Sequence, residues 1–108
     1  MVSTVQESDL VHLINQLFDL EKKAFSLADG QNLKRPLGRI QDSLERMGYR
    51  MENPTGEKFE ESRTDYEAKI VGTIGQPLFV RDVIKPIIRQ ISEGRTRLVQ
   101  RGIVIVDS

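Results

Sequence analysis

Carboxylates are the side chains whose clustering in this chain most suits chemistry: Glu60, Glu61 and Asp65 fall close together in a polar connector. Two carboxylates can act as general acid and general base only when a pocket pushes their pKa values apart. The surrounding residues offer no apolar stretch to build one, so the acids read as a solvated cluster. His12, the only histidine, lies between Val11 and Leu13 with no acidic or nucleophilic neighbour in sequence, and is better taken as structural. Gly72-Thr73-Ile74-Gly75 reads as a tight turn rather than a phosphate cradle, and the chain holds no G-x-x-x-x-G-K-[ST], H-E-x-x-H or G-x-S-x-G pattern. There is no cysteine, which removes disulfides, thiolate catalysis and a cysteine-built zinc site. The expectation is a protein that is not an enzyme and uses no cofactor and no metal.

Composition points to a protein partner instead. In 108 residues, 16 basic and 16 acidic side chains cancel, and no basic stripe stands out for a nucleic acid. No window is apolar for long enough to cross a bilayer, and Met1 is not followed by a basic start and an apolar run, so the chain reads as cytoplasmic. A chain this short has a small core, and a second copy packing against it is a useful source of burial.

The elements that position these residues change in kind near residue 50. Before it, Leu10, Leu13, Leu17, Leu20, Ala24 and Leu27 alternate steps of three and four, widened by Ile14, Phe18 and Phe25, which predicts an amphipathic helix. Thr4 with Glu7 suits a capping box at its start, and Asp29-Gly30 an αL stop at its end. Leu33, Leu37, Ile40, Leu44 and Met47 continue the rhythm in a second helix that Gly48 ends, with Pro36 near its N-terminus. Two such helices predict a hairpin, and two hairpins closing a four-helix bundle bury both wide stripes. The competing reading packs the stripes on the chain's own β half.

After residue 50 the pattern is extended. Residues 49–64 are polar, with Asn53-Pro54 and Thr55-Gly56 marking a reversal. Tyr66, Ala68 and Ile70 alternate with polar residues and predict a strand. The run from Leu78 to Ile91 is β-branched, its alternation slipping between Val80 and Val83, which together with Pro86 predicts a bulge or bend on an edge. Ser92-Glu93-Gly94 is a hairpin turn, and Thr96–Gln100 and Ile103–Val106 are strands interrupted at Arg101-Gly102. The fold class expected is α+β: a helical hairpin over 1–49 forming a dimeric four-helix bundle, then a small all-β sandwich or barrel-like head over 50–108.

Leu44-Glu45-Arg46-Met47-Gly48, then Asn53-Pro54-Thr55-Gly56-Glu57-Lys58-Phe59, then Tyr66-Glu67-Ala68 and the closing Arg97 to Val106, taken in order, resemble the GrpE family. Those proteins are stress-response cochaperones, nucleotide-exchange factors of DnaK-type chaperones. Tyr66 stands where the family usually has histidine, Ile87-Ile88 where it has Gly-Tyr, and Gln100-Arg101-Gly102 where it has Arg-Pro-Ala; the long N-terminal paired helices are absent.

The resemblance implies a homodimer whose β head presses on the ATPase domain of a DnaK-type chaperone and favours the open nucleotide cleft, so that ADP leaves. Such a wing needs an apolar patch rimmed by charge and no catalytic group. By position, Ile84 matches the apolar wing residue, Val104 lies in the closing strand beside it, and Ser26 and Leu27 fall where the family's helix reaches the ATPase domain. Arg81, Lys85 and Arg97 are added here as a charged rim. The competing role for Ile84, Val104 and Leu27 is core packing, and for the basic trio a solvated face. The alternative function is a scaffold or adaptor that keeps the fold and binds a protein without exchange activity.

Overall fold

Two helices come first in the computed structural model, which describes residues 6–27, 31–73 and 75–108. Helix α1 spans Glu7–Phe25 and helix α2 Gln31–Arg46. Glu7 and Asp9 in the first turn of α1 and Lys22 and Lys23 in the last complement its dipole. Gln6 occupies the N-cap position with no side-chain bond. The capping box expected from Thr4, the stop at Asp29-Gly30, and Ile74 of the Gly72–Gly75 turn lie outside the described residues.

The helices do not form the expected hairpin bundle. A bundle seam needs both rows of the three-four stripe buried, yet burial alternates along it. Leu10, Leu17 and Ala24 are buried, whereas Leu13, Leu20 and Leu27 are exposed. In α2, Leu37 and Leu44 are buried, whereas Leu33 and Ile40, and Met47 just past its end, are exposed. Each helix therefore buries one heptad row, which Ile14 and Phe18 supplement in α1 alone. Contact between the helices is slight and includes a hydrogen bond from Gln41 Nε2 to Glu21 Oε1. Pro36 lies inside α2, past its first turn, where it removes a backbone donor and crowds the carbonyl of Asn32.

The chain divides into two compact units, Met1–Met47 and Gly48–Ser108, of which the strand-rich second is the larger. Gly48 opens it at φ +91°, accepting from the Ile91 amide, and a Cβ there would lie 2.9 Å from the Ile91 carbonyl oxygen. Six strands follow: β1 Tyr49–Glu52, β2 Tyr66–Ile70, β3 Phe79–Lys85, β4 Ile87–Ser92, β5 Arg95–Gln100 and β6 Gly102–Asp107. They form two three-stranded sheets, β1-β4-β5 and β2-β6-β3. The first is antiparallel throughout. In the second, β6 runs parallel to β2 and antiparallel to β3.

Two runs of chain cross from one sheet to the other. Pro86, buried and unable to donate, separates β3 at the edge of one sheet from β4 at the centre of the other; its carbonyl accepts from Gln100 Nε2 at 2.9 Å. Arg101 separates β5 from β6, and Gly102 passes so close that a Cβ would meet Ile87 Cγ1 at 2.9 Å and the Lys85 oxygen at 3.2 Å. The expected slip between Val80 and Val83 is present as a register shift between Val80 and Asp82, and a second, unexpected shift follows between Val83 and Lys85. The interior holds Val80, Val83, Ile87, Ile88, Val104 and Val106, all within about one per cent of full burial, with Tyr49 and Tyr66.

The Pro54-to-Phe59 segment is held along β3. Asn53 Oδ1 accepts from the Thr55 amide, Gly56 donates to the Val80 oxygen at 2.7 Å, Val80 donates to Glu57, and Phe59 donates to Leu78. Pro54 is fully buried, so this turn is seated in the fold.

Candidate functional site

The outer face of the β2-β6-β3 sheet follows from its register. Val104 and Val106 point inward opposite Val83 and Val80, so Ile103, Ile105 and Asp107 point outward. Glu67 and Lys69 flank the two isoleucines from β2, and Lys85 and Asp82 flank them from β3. The result is a half-buried apolar centre with charges of both signs on each side. Arg81 and Ile84 are the residues skipped by the two register shifts, and both are exposed, Ile84 at 47%. A bulge turns a side chain away from regular alternation, which is how a β-branched residue in the middle of a strand escapes the core.

The residues singled out by sequence separate accordingly. Ile84, Arg81 and Lys85 lie together on β3, with the Arg81 guanidinium 5.0 Å from the centre of the Phe79 ring. Val104 is fully buried and takes the packing role. Arg97 lies on β5, in the other sheet, where its guanidinium donates to Gln90 Oε1. Ser26 and Leu27 follow α1 in the helical unit; Ser26 donates to the Lys23 oxygen at 2.7 Å and Leu27 is 61% exposed. Ile103 and Ile105 complete the apolar face and were not singled out; their signal was the alternation with Val104 and Val106.

Sequence reasoning also missed an ion network in the same unit. Asp65 Oδ2 accepts from Arg63 at 2.8 Å and from Arg89 at 2.5 Å. Arg89 reaches Glu52 at 2.9 Å, and Arg63 reaches Glu57 at 2.9 Å while lying 4.6 Å over the Tyr66 ring. The Arg63 hydrogen bond, and then the charges of Arg63 and Arg89, hold the Asp65 carboxyl below the usual carboxylate range against the opposing effect of burial. The bond to Asp65 pushes Arg63 up, and the bond to Glu52, with the charges of Glu52 and Asp65, pushes Arg89 up. Asp65 is thus pinned as an anion, and its work is to tie the connector to β4. In the helical unit Glu21 goes the other way: burial raises its pKa, partly countered by the bond from Gln41.

Beside this network runs a cleft of about 330 Å³ floored by Phe59, Tyr66, Ala68 and Ile70 and bordered by Glu60 and Glu61. Phe59 and Tyr66 stack with centroids 6.3 Å apart, and the Tyr66 hydroxyl accepts from the Glu60 amide at 3.3 Å. Among the described residues no three His, Asp or Glu side chains converge as a metal cage, and no helix is long and apolar enough to cross a membrane. Comparison with protein-family models, with curated proteins and with solved structures finds no match.

Proposed function

We propose that the chain is a GrpE-like nucleotide-exchange factor that works in the cytoplasm, its β unit binding the ATPase domain of a DnaK-type chaperone and favouring the open cleft. The observation that carries this reading is the outer face around Ile103 and Ile105, with Ile84 turned out beside it and Lys85, Asp82, Glu67 and Lys69 on its rim. An apolar centre inside a charged rim is the make-up of a protein interface. The ordered sequence resemblance from about Ile14 to Val106 supplies the identity of the partner. Exchange then follows from differential affinity: each 1.4 kcal/mol of preference for the open lobe arrangement weakens nucleotide binding about tenfold, and nucleotide weakens the factor's binding equally.

The test is release of a fluorescent ADP analogue from a co-encoded DnaK-type protein, with and without this chain. Acceleration that Ile84→Asp cuts by at least about tenfold supports the reading. An unchanged rate at saturating concentration, with binding retained, supports the adaptor instead, for which the exposed ends at Ser26 and Leu27 offer a second contact. The resemblance also carries a homodimer; light scattering distinguishes the 12.3 kDa monomer from a doubled mass. Because the helices form no bundle, the exchange reading does not depend on that result.

A further inference from the structure

Of the free edges in the two sheets, one is left open where a groove runs alongside. The outer edge of β3 is covered by residues 56–59, through the Lys58–Phe79 bridge and the bonds of Glu57 and Phe59. The β5 edge carries exposed Arg95, Thr96 and Arg97, and β1 is only four residues long. Edge β2 differs. Asp65 accepts from Gly102, and Val71 donates to Val106, so residues 65, 67, 69 and 71 turn their backbone groups toward β6. Tyr66, Ala68 and Ile70 turn theirs outward.

The outward Tyr66 carbonyl is occupied by Arg101, which also donates to the Thr64 oxygen. The amides and carbonyls of Ala68 and Ile70 have no hydrogen-bond partner among the described residues. Both residues line the cleft bordered by Glu60 and Glu61. Of the cations there, Arg63 is committed to Asp65 and Glu57, and Arg101 comes no nearer an acid than 3.9 Å, at Glu67. Glu60, Glu61 and Glu67 outnumber Arg63 and Arg101 among the lining residues, so the groove carries net negative charge beside aromatic and aliphatic side chains.

We propose that the β2 edge takes an extended basic peptide as a fourth strand of its sheet, with main-chain bonds to Ala68 and Ile70 and a peptide lysine or arginine between Glu60 and Glu61. Strand addition draws affinity from the backbone ladder and specificity from the pockets beneath alternate side chains. This surface lies across the sheet from β3, and the proposal does not rest on exchange activity.

The test titrates the full chain, ¹⁵N-labelled, with acetyl-Ser-Val-Lys-Val-Arg-Thr-amide, with the same peptide carrying Glu at both basic positions, and with N-methylated versions of the basic peptide. Expected are shifts centred on residues 66–71, slowed exchange of the Ala68 and Ile70 amides, and affinity for the acidic peptide at least about tenfold lower. N-methylation at alternate positions abolishes binding, and at the intervening positions leaves it unchanged. The exposed pair Glu60→Gln and Glu61→Gln, in one chain, narrows the gap between basic and acidic peptides. No shift at millimolar peptide, shifts centred instead on Ile103 and Ile105, or indifference to N-methylation at every position overturns the proposal.

Discussion

The helical unit and the β unit carry comparable apolar content and use it differently. In α1 and α2 the stripe is long, regular and half exposed: Leu13, Leu20, Leu33 and Ile40 remain at the surface. In the β unit the apolar residues are fewer per strand, yet Val80, Val83, Ile87, Ile88, Val104 and Val106 are almost completely buried. A helix presents a broad stripe along one side, and burying all of it takes a partner of equal width. In the β unit both small sheets contribute to the enclosed set, Ile87 and Ile88 from one and the four valines from the other. Regular patterning is thus no measure of how much of an element is buried.

The sharpest way to break this contrast is to delete equal volumes from both regions. Ile88→Ala should destabilise the β unit by about 2–5 kcal/mol, since it empties a fully enclosed site, whereas Ile40→Ala should cost about 0.5 kcal/mol or less. Denaturant melts followed by residue-resolved NMR measure both; equal costs would end the distinction. Next in size, Pro36→Ala should stabilise the helical unit by about 2 kcal/mol, because it restores an internal hydrogen bond and relieves the clash with Asn32. The readout is helical ellipticity and amide protection in α2, and no gain would mean that the site already tolerates the ring.

Acid should move the two units in opposite directions. Asp65 has a depressed pKa in the fold, so its contribution is present above the unfolded carboxylate value near about 4 and is lost as pH falls below it. Glu21 has a raised pKa; the stability tied to its protonation is full at low pH and is lost as pH rises through its folded value. Lowering pH from about 6 to 3 should weaken protection around β4 and the connector while strengthening it in α1, and Asp65→Asn should cost about 1–2 kcal/mol at neutral pH and flatten the first trend. Hydrogen exchange across that range checks both slopes. A small gain is expected at the β4–β5 turn, where Glu93 has φ +51° beside Gly94. Glu93→Asn should gain about 0.5–1 kcal/mol, seen as a higher melting temperature, because asparagine tolerates that conformation better.

Much of the β unit was legible because local patterns dictate local structure. The slip after Val80 announced a bulge, and Glu93-Gly94 announced a hairpin. Strand Tyr49–Glu52 was not legible, since four residues inside a polar stretch give too short an alternation. Nor was the face of each residue: Ile84 and Val104 are equally β-branched, and only the register shifts turn one out and leave the other in. The helical stripe was visible, but which of its two rows is buried depends on neighbours that a linear pattern does not specify. The Asp65–Arg89 pair joins positions 24 apart, and the β2–β6 pairing joins positions farther apart still, so neither leaves a local signature.

The placement of β6 between β2 and β3 has a kinetic consequence. Neither flanking strand has a ladder partner in its sheet until residues 102–107 arrive, although β1, β4 and β5 are complete by residue 100. Closure of each sheet therefore waits on a pairing far apart in sequence, β1 with β4 and β2 with β6, and distant pairings of this kind form late and slowly. The valines of β3 find their ladder neighbours only when β6 docks beside them, so the last strand in sequence completes that side of the interior.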